Sequence, residues 1–234
     1  MSASHLHREI EKLKRGLLIL AARVEEALRR AVRAVEKRNA ALAREVILDD
    51  PRIDVMEVEL EEECLKALAL HQPVAGDLRF VVAVLKINND LERIGDLAVN
   101  IAENACALAD APRAAVSFEL GAMARKALAL VRMSIESLVE RDAALARKVL
   151  AGDDEVDDMN RRIFAAAREA MKRDPSSLDV FVRFLSVSRH LERVADHATN
   201  IAEDVIYLLE GEIVRHGGAL RESGAAAAPF DGGE

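Results

Sequence analysis

The sequence predicts an all-α protein made of two tandem three-helix units, a six-helix array. Three observations predict it. Apolar residues recur at helical spacing through most of the 234 residues, and no segment alternates apolar and polar as a strand does. The composition is 51% hydrophobic but only 3% aromatic, without Trp, so the core must be built from Leu, Val, Ile and Ala. With abundant Glu, Arg and Lys, that is the mix of helical bundles. Finally, the chain repeats itself. DLERIGDLAVNIAE, residues 90–103, returns as HLERVADHATNIAE, residues 190–203, at an offset of 100; RNAALAREVIL, residues 38–48, returns as RDAALARKVL, residues 141–150, at an offset of 103.

The elements follow in order. Leu6, Leu13, Leu17, Leu20, Val24, Leu28, Ala31 and Val35 predict a helix over 6–37. Asn39 can cap a short helix from Ala40. Asp50 before Pro51 reads as a cap with proline at the first helical position, opening a helix to about Leu70. His71-Gln72-Pro73 breaks it, and Ala75-Gly76-Asp77 opens a long helix to about Ala109. The second half repeats this order, with Asp157 and Met159 matching Asp54 and Met56 and Arg173-Asp174-Pro175 matching the first break. Each repeat is expected to carry one short extra helical segment. The expected divisions are 1–111, 112–216 and a flexible tail over 217–234.

Composition excludes several functions. A net charge of −8 repels phosphate backbones and argues against nucleic-acid binding. Cys64 and Cys106 stand alone, which argues against zinc-thiolate sites and disulfides and for a reducing cytoplasm. No apolar run approaches the roughly 20 residues of a membrane span, and MSASHLHREI lacks a signal-peptide core.

The repeated motif carries the chemistry. Glu92, Asp96 and Asn100, like Glu192, Asp196 and Asn200, stand four apart, so each trio forms a stripe on one helix face. On a helical wheel the stripe lies about 100–180° from Leu91, away from the core arc of Val84, Ile87, Leu91, Ile94, Ala98 and Ile101. Like charges at this spacing destabilise a helix by a few tenths of a kcal/mol. Arg93 and Arg193 could offset that, and so could a cation, because hard ions prefer carboxylate and amide oxygens. Asp54 and Glu57 on the preceding helix, with Asp157 and Asn160 opposite, could add ligands. Phe164 stands where the first repeat has Glu61, so the two sites would differ. His197, beside Asp196, is a weaker candidate, since its counterpart is Leu97. The residues alone leave both metal sites and solvated helix faces open. No ExxH pair, HExxH, GxSxG or P-loop is present, and no catalytic residues are expected.

Over residues 6–212 the chain resembles the PhoU family of bacterial phosphate-signalling accessory proteins. The segments that carry the likeness are EEECLKALALHQPVAGDLRFVVAVLKINNDLERIGDLAVNIAE and DVFVRFLSVSRHLERVADHATNIAE. The resemblance implies two tandem three-helix bundles related by pseudo-twofold symmetry and an E/D-x-x-x-D motif on the third helix of each repeat, here Glu92–Asp96 and Glu192–Asp196. It implies divalent or trivalent metal ions there, multinuclear iron or zinc clusters among them, and no organic cofactor. Asp54, Glu57 and Asp157 are the candidate neighbouring ligands. It also implies a homodimer that is cytoplasmic and peripherally associated with membrane complexes. Its role would be to restrain phosphate uptake and the starvation response by bridging the phosphate ABC transporter ATPase and a sensor histidine kinase, without catalysis. The alternatives are a metal-dependent enzyme or a metal-storage helical protein.

Overall fold

The computed structural model describes residues 2–112 and 118–211; the expected tail over 217–234 lies outside them. Among the described residues there are helices, one 3-10 turn and no strand. The order is α1 (Ser2–Lys37), α2 (Ala40–Asp49), α3 (Pro51–His71), α4 (Ala75–Ala109), α5 (Leu120–Glu140), α6 (Ala143–Arg173), the 3-10 turn Pro175–Ser177 and α7 (Leu178–Glu210). Counting α2 and α3 as one interrupted arm gives three helices per repeat.

Local chemistry sets the boundaries. Arg38 and Arg141 each turn left-handed, at φ 49° and 54°. Asn39 and Asp142 then accept from the backbone N–H of Leu42 at 3.1 Å and Leu145 at 2.9 Å, so both N-caps form as their residue types require. Two expectations fail here. The Asp50 side chain makes no capping bond, and its backbone is already helical. Nor does the second repeat carry a separate short segment, because α6 runs unbroken from Ala143 to Arg173. The reason is one residue: the position of Pro51 is taken by Asp154, whose N–H can join the helix ladder.

The long helices α4 and α7 lie against each other as a central spine. They run antiparallel: Lys86 Nζ is 2.6 Å from Asp204, Asp90 meets His197 Nδ1 at 2.8 Å, and Asn200 donates to Asp90 at 3.2 Å. Helix α1 packs along α4, and α5 along α7, while the α2–α3 arm and α6 cover the remaining flanks. The core is aliphatic. Leu17, Leu20 and Leu28 of α1, Ile87, Leu91, Ile94 and Ile101 of α4, and Leu191, Val194 and Ile201 of α7 are fully buried. Each such side chain contributes about 1.5–3 kcal/mol relative to exposure. Arg38 donates to the carbonyls of Ala111 at 2.6 Å and Pro112 at 3.2 Å, tying the end of α1 to the chain that leaves the first repeat. None of the described helices is long and apolar enough to cross a membrane.

Candidate functional site

Each repeat buries part of its acidic stripe beneath the neighbouring arm. The wheel placed Glu92 and Glu192 off the core, but off the core is not out in solvent. Helix α4 is flanked by α1, α2, α3 and α7, and α7 by α4, α5 and α6, so few of their faces are free. The Glu92 side chain is 23% exposed and Glu192 13%, against 42% for Asp96. Glu92 and Glu192 each hold a buried Oε2 without a hydrogen-bond partner. Arg93 Nε stands 3.4 Å from that oxygen of Glu92, too poorly placed to bond. Arg189 reaches only the other oxygen of Glu192, at 2.6 Å.

The first cluster joins α4 to the α2–α3 arm. Asp50, Asp54, Glu57, Glu92 and Asp96 lie close enough to act on one another electrostatically. Burial, then the charges of Asp54 and Asp96, push the Asp50 carboxyl up to about 6. Burial also raises Glu92, helped by Asp96, and raises Glu57, helped by Glu61 and Asp54. Asn88, buried on α4, donates to the backbone carbonyl of Glu57 at 2.9 Å and to its carboxylate at 3.1 Å, fixing where Glu57 sits. Gly95 is the contact that lets the arm approach: a Cβ there would stand 3.3 Å from Ile53 and 3.9 Å from Asp50 Oδ1.

The second cluster repeats the pattern between α6 and α7. Asp153, Asp157, Glu192 and Asp196 gather there. Burial, then Asp196, Asp157, Asp154 and Glu192, push the Asp153 carboxyl up to about 6, and its Oδ1 is buried without a partner. Burial also raises Glu192 and Asp196. Ser188, in the place of Asn88, donates to Asn160 Oδ1 at 2.6 Å, in the place of Glu57. The buried polar link between the arm and the last helix is thus kept in both repeats, while one carboxylate is lost from the second.

Sequence reasoning missed Asp50 and Asp153. Their signal was present, because they stand at the offset of 103 that relates Asp54 to Asp157 and lie four residues before each. The cap reading of Asp50 concealed it. Two other candidates, Asn200 and His197, turn toward α4. Asn200 turns to Asp90 on α4. Four residues advance a helix by about 400°, so eight carry the stripe about 80° round from Glu192. Asn100 is half-buried, and its backbone carbonyl accepts from the Asn104 side chain at 2.8 Å. His197 turns its Nδ1 to Asp90 across the spine, while still acting electrostatically on Asp196 of the second cluster. Cys64 is buried, its thiol pushed up to about 12 by burial, and behaves as a small apolar residue.

Comparison with known proteins agrees with this fold. The family model for the PhoU domain matches residues 17–105 and again 120–205, one stretch in each repeat. The chain belongs to the PhoU family. It is 41% identical over 211 residues to the phosphate-specific transport system accessory protein PhoU homolog of Aquifex aeolicus, covering 90% of this chain and 96% of that one. Identity to PhoU homolog 1 of Thermotoga maritima is 34% over 225 residues, covering 96% and 97%. The crystal structure of PhoU from Pseudomonas aeruginosa superimposes with a TM-score of 0.84 at 34% identity, covering 88% of this chain and 99% of that one. That of the phosphate transport system regulatory protein PhoU from Streptococcus pneumoniae gives 0.81 at 27% identity, covering 90% and 100%. The PhoU fold is therefore the one seen here, with seven helices among the described residues.

Proposed function

We propose that the protein is a regulatory accessory of a phosphate-specific transport system that works by binding, and that its two carboxylate clusters take up metal ions. Family membership supports the first part. The observation that carries the second is buried carboxylate oxygens left without a hydrogen bond. Buried oxygens of Glu92, Glu192 and Asp153 have no hydrogen-bond partner, and they sit among like charges at equivalent places in both repeats. An unsatisfied buried charge is costly, and a cation would relieve it.

The donors fit such an ion in kind. Asp50, Asp54, Glu57, Glu92 and Asp96 would hold it in the first repeat, and Asp153, Asp157, Glu192 and Asp196 in the second. All are oxygen donors, a set that suits hard and borderline cations. As placed, no three His, Cys, Asp or Glu side chains among the described residues form a ready ligand group, so uptake requires carboxylate rotation. The ion would neutralise the cluster and draw the arm and the last helix together. In this reading the protein meets the transporter ATPase and a sensor kinase as a cytoplasmic adaptor, with metal occupancy altering the surface it offers.

Elemental analysis of freshly purified protein tests the metal. The wild type should carry metal and an Asp96→Asn/Asp196→Asn variant should lose much of it; equal contents in a folded variant would refute the site. Deletion in the host tests the role. It should leave phosphate-responsive genes active in phosphate-rich medium, and normal phosphate control after deletion would refute the regulatory reading.

A further inference from the structure

The two repeats present opposite charge at one equivalent place. Between α6 and α7 lies an open groove of about 530 Å³. Phe164, Met171 and Leu185 supply apolar surface, and Arg161, Arg168 and Arg189 line it with them. Phe164 is 43% exposed, which is unusual for an aromatic in a chain with so few of them. Residues 161, 164, 168 and 171 fall on one face of α6 and extend about 15 Å along it, the length of nearly three helical turns.

The first repeat inverts this surface. By the offset of 103, Glu57, Glu61 and Glu62 stand where α6 has Asn160, Phe164 and Ala165, and Val58 and Leu65 stand where it has Arg161 and Arg168. By the offset of 100, Asn89 replaces Arg189. One place in the fold is therefore apolar and acidic in one repeat, apolar and basic in the other. Packing does not require the difference, since the arginine side chains are 66%, 74% and 59% exposed in the order 161, 168, 189. The partners of Arg161 and Arg168 are exposed and hold them weakly. Arg168 stands 3.9 Å from Glu169, and Arg161 and Arg189 pair with carboxylates three residues away on their own helices.

We propose that the α6–α7 groove is a docking site for an acidic amphipathic helix of a protein partner. The apolar face of that helix would cover Phe164, Met171 and Leu185, and its flanking carboxylates would take Arg161, Arg168 and Arg189. The acidic first repeat would reject the same segment, so the two halves discriminate between partners by sign. Arg189 is also the cation beside Glu192. A partner that engages Arg189 leaves the second carboxylate cluster more negative, which links this groove to that cluster. That a protein partner exists at all rests on the regulatory reading above.

The test uses the full chain with 13C-methyl methionine, the Met171 signal being assigned through Met171→Leu. The probe is a designed 14-residue helical peptide with Leu along one face and Glu on its flanks; the control carries Lys in place of Glu. The acidic peptide should shift the Met171 methyl saturably, and the basic control should not. Arg161→Glu/Arg168→Glu should weaken the acidic peptide tenfold or more and admit the basic one. Arg168→Ala, a milder change, should weaken it less. The proposal is overturned if the acidic peptide leaves Met171 unmoved or if both peptides bind alike. It is overturned too if Met171 shifts with protein concentration alone, because the occupant is then a second copy. Any of these leaves the phosphate-control phenotype of the deletion untouched, so the two readings fail separately.

Discussion

Asp50 and Asp153 hold their protons more tightly in the folded chain than in the unfolded one, their carboxyls having risen from 3.8 to about 6. The native state therefore binds more protons between those values, and stability falls as pH rises through that window and stays lower above it. In EDTA-treated protein, Asp153→Asn should raise the melting temperature at pH 7.5, and the gain should shrink toward zero near pH 4. A gain independent of pH would show that the cause is not this ionisation. For the same reason, protons and metal compete, and bound metal should fall steeply when the protein is dialysed below pH 6. Leu91→Ala makes the contrast within one motif. It empties a fully buried position and should cost about 2–5 kcal/mol in urea denaturation, whereas Asp96→Asn beside it should stay within about 0.5 kcal/mol. The paired Glu and Asp of the motif were legible because they repeat. Asp50 was hidden because Asp before Pro suits a helix cap equally well. Only the approach of the arm to α4 over Gly95 reveals which role the side chain takes.

Helix α6 and the α2–α3 arm do the same work with different continuity. A proline in the middle of α6 would remove the Asp154 N–H and press on the carbonyl of Leu150. Asp154→Pro should therefore cost roughly 3 kcal/mol, read as a lower denaturation midpoint with reduced helicity. At the N-caps, Asn39→Ala and Asp142→Ala should each cost about 1 kcal/mol. The Asn39 cap and the breaks at His71-Gln72-Pro73 and Arg173-Asp174-Pro175 were readable from single residues, because each is decided by chemistry within a few positions; the Asp50 cap and the unbroken length of α6 were not. The covering of the acidic stripe was not. A helical wheel shows which face a helix turns to its own core, but not how many neighbours pack around it. For the spine helices nearly every side is occupied.

At the scale of the molecule, the spine depends on a few polar contacts between otherwise aliphatic helices. Asp90 and His197 are 14% and 18% exposed, and each is the other's partner across α4 and α7. A double-mutant cycle on Asp90→Ala and His197→Ala should give a coupling of about 0.5–3 kcal/mol in urea denaturation. Additive effects would show that the pair is incidental to holding the repeats together. The duplication that defines the architecture was plain in the sequence. The pairing of the spine was not, because the contacts of Asp90, Lys86 and Asn200 lie more than a hundred residues away, and Asp90 meets His197 and Asn200 at different positions of the two motif copies, which no spacing announces.

That antiparallel register makes the chain a fused dimer with built-in mating preference. Position 90 meets 197 and 200, and position 86 meets 204, so the residue opposite its own repeat counterpart lies near Ile94 and Val194. The pseudo-twofold axis therefore passes through the middle of the duplicated motif. Two copies of the first half mated this way would set Asp90 against Leu97 and Lys86 against Asn104. Two copies of the second would set His190 against His197 and Ser186 against Asp204. Only the mixed union gives Asp90 a histidine and Lys86 a carboxylate. The mating surface of each half is therefore complementary to its sibling and not to itself. The two halves, made as separate chains and mixed, should find each other in preference to themselves.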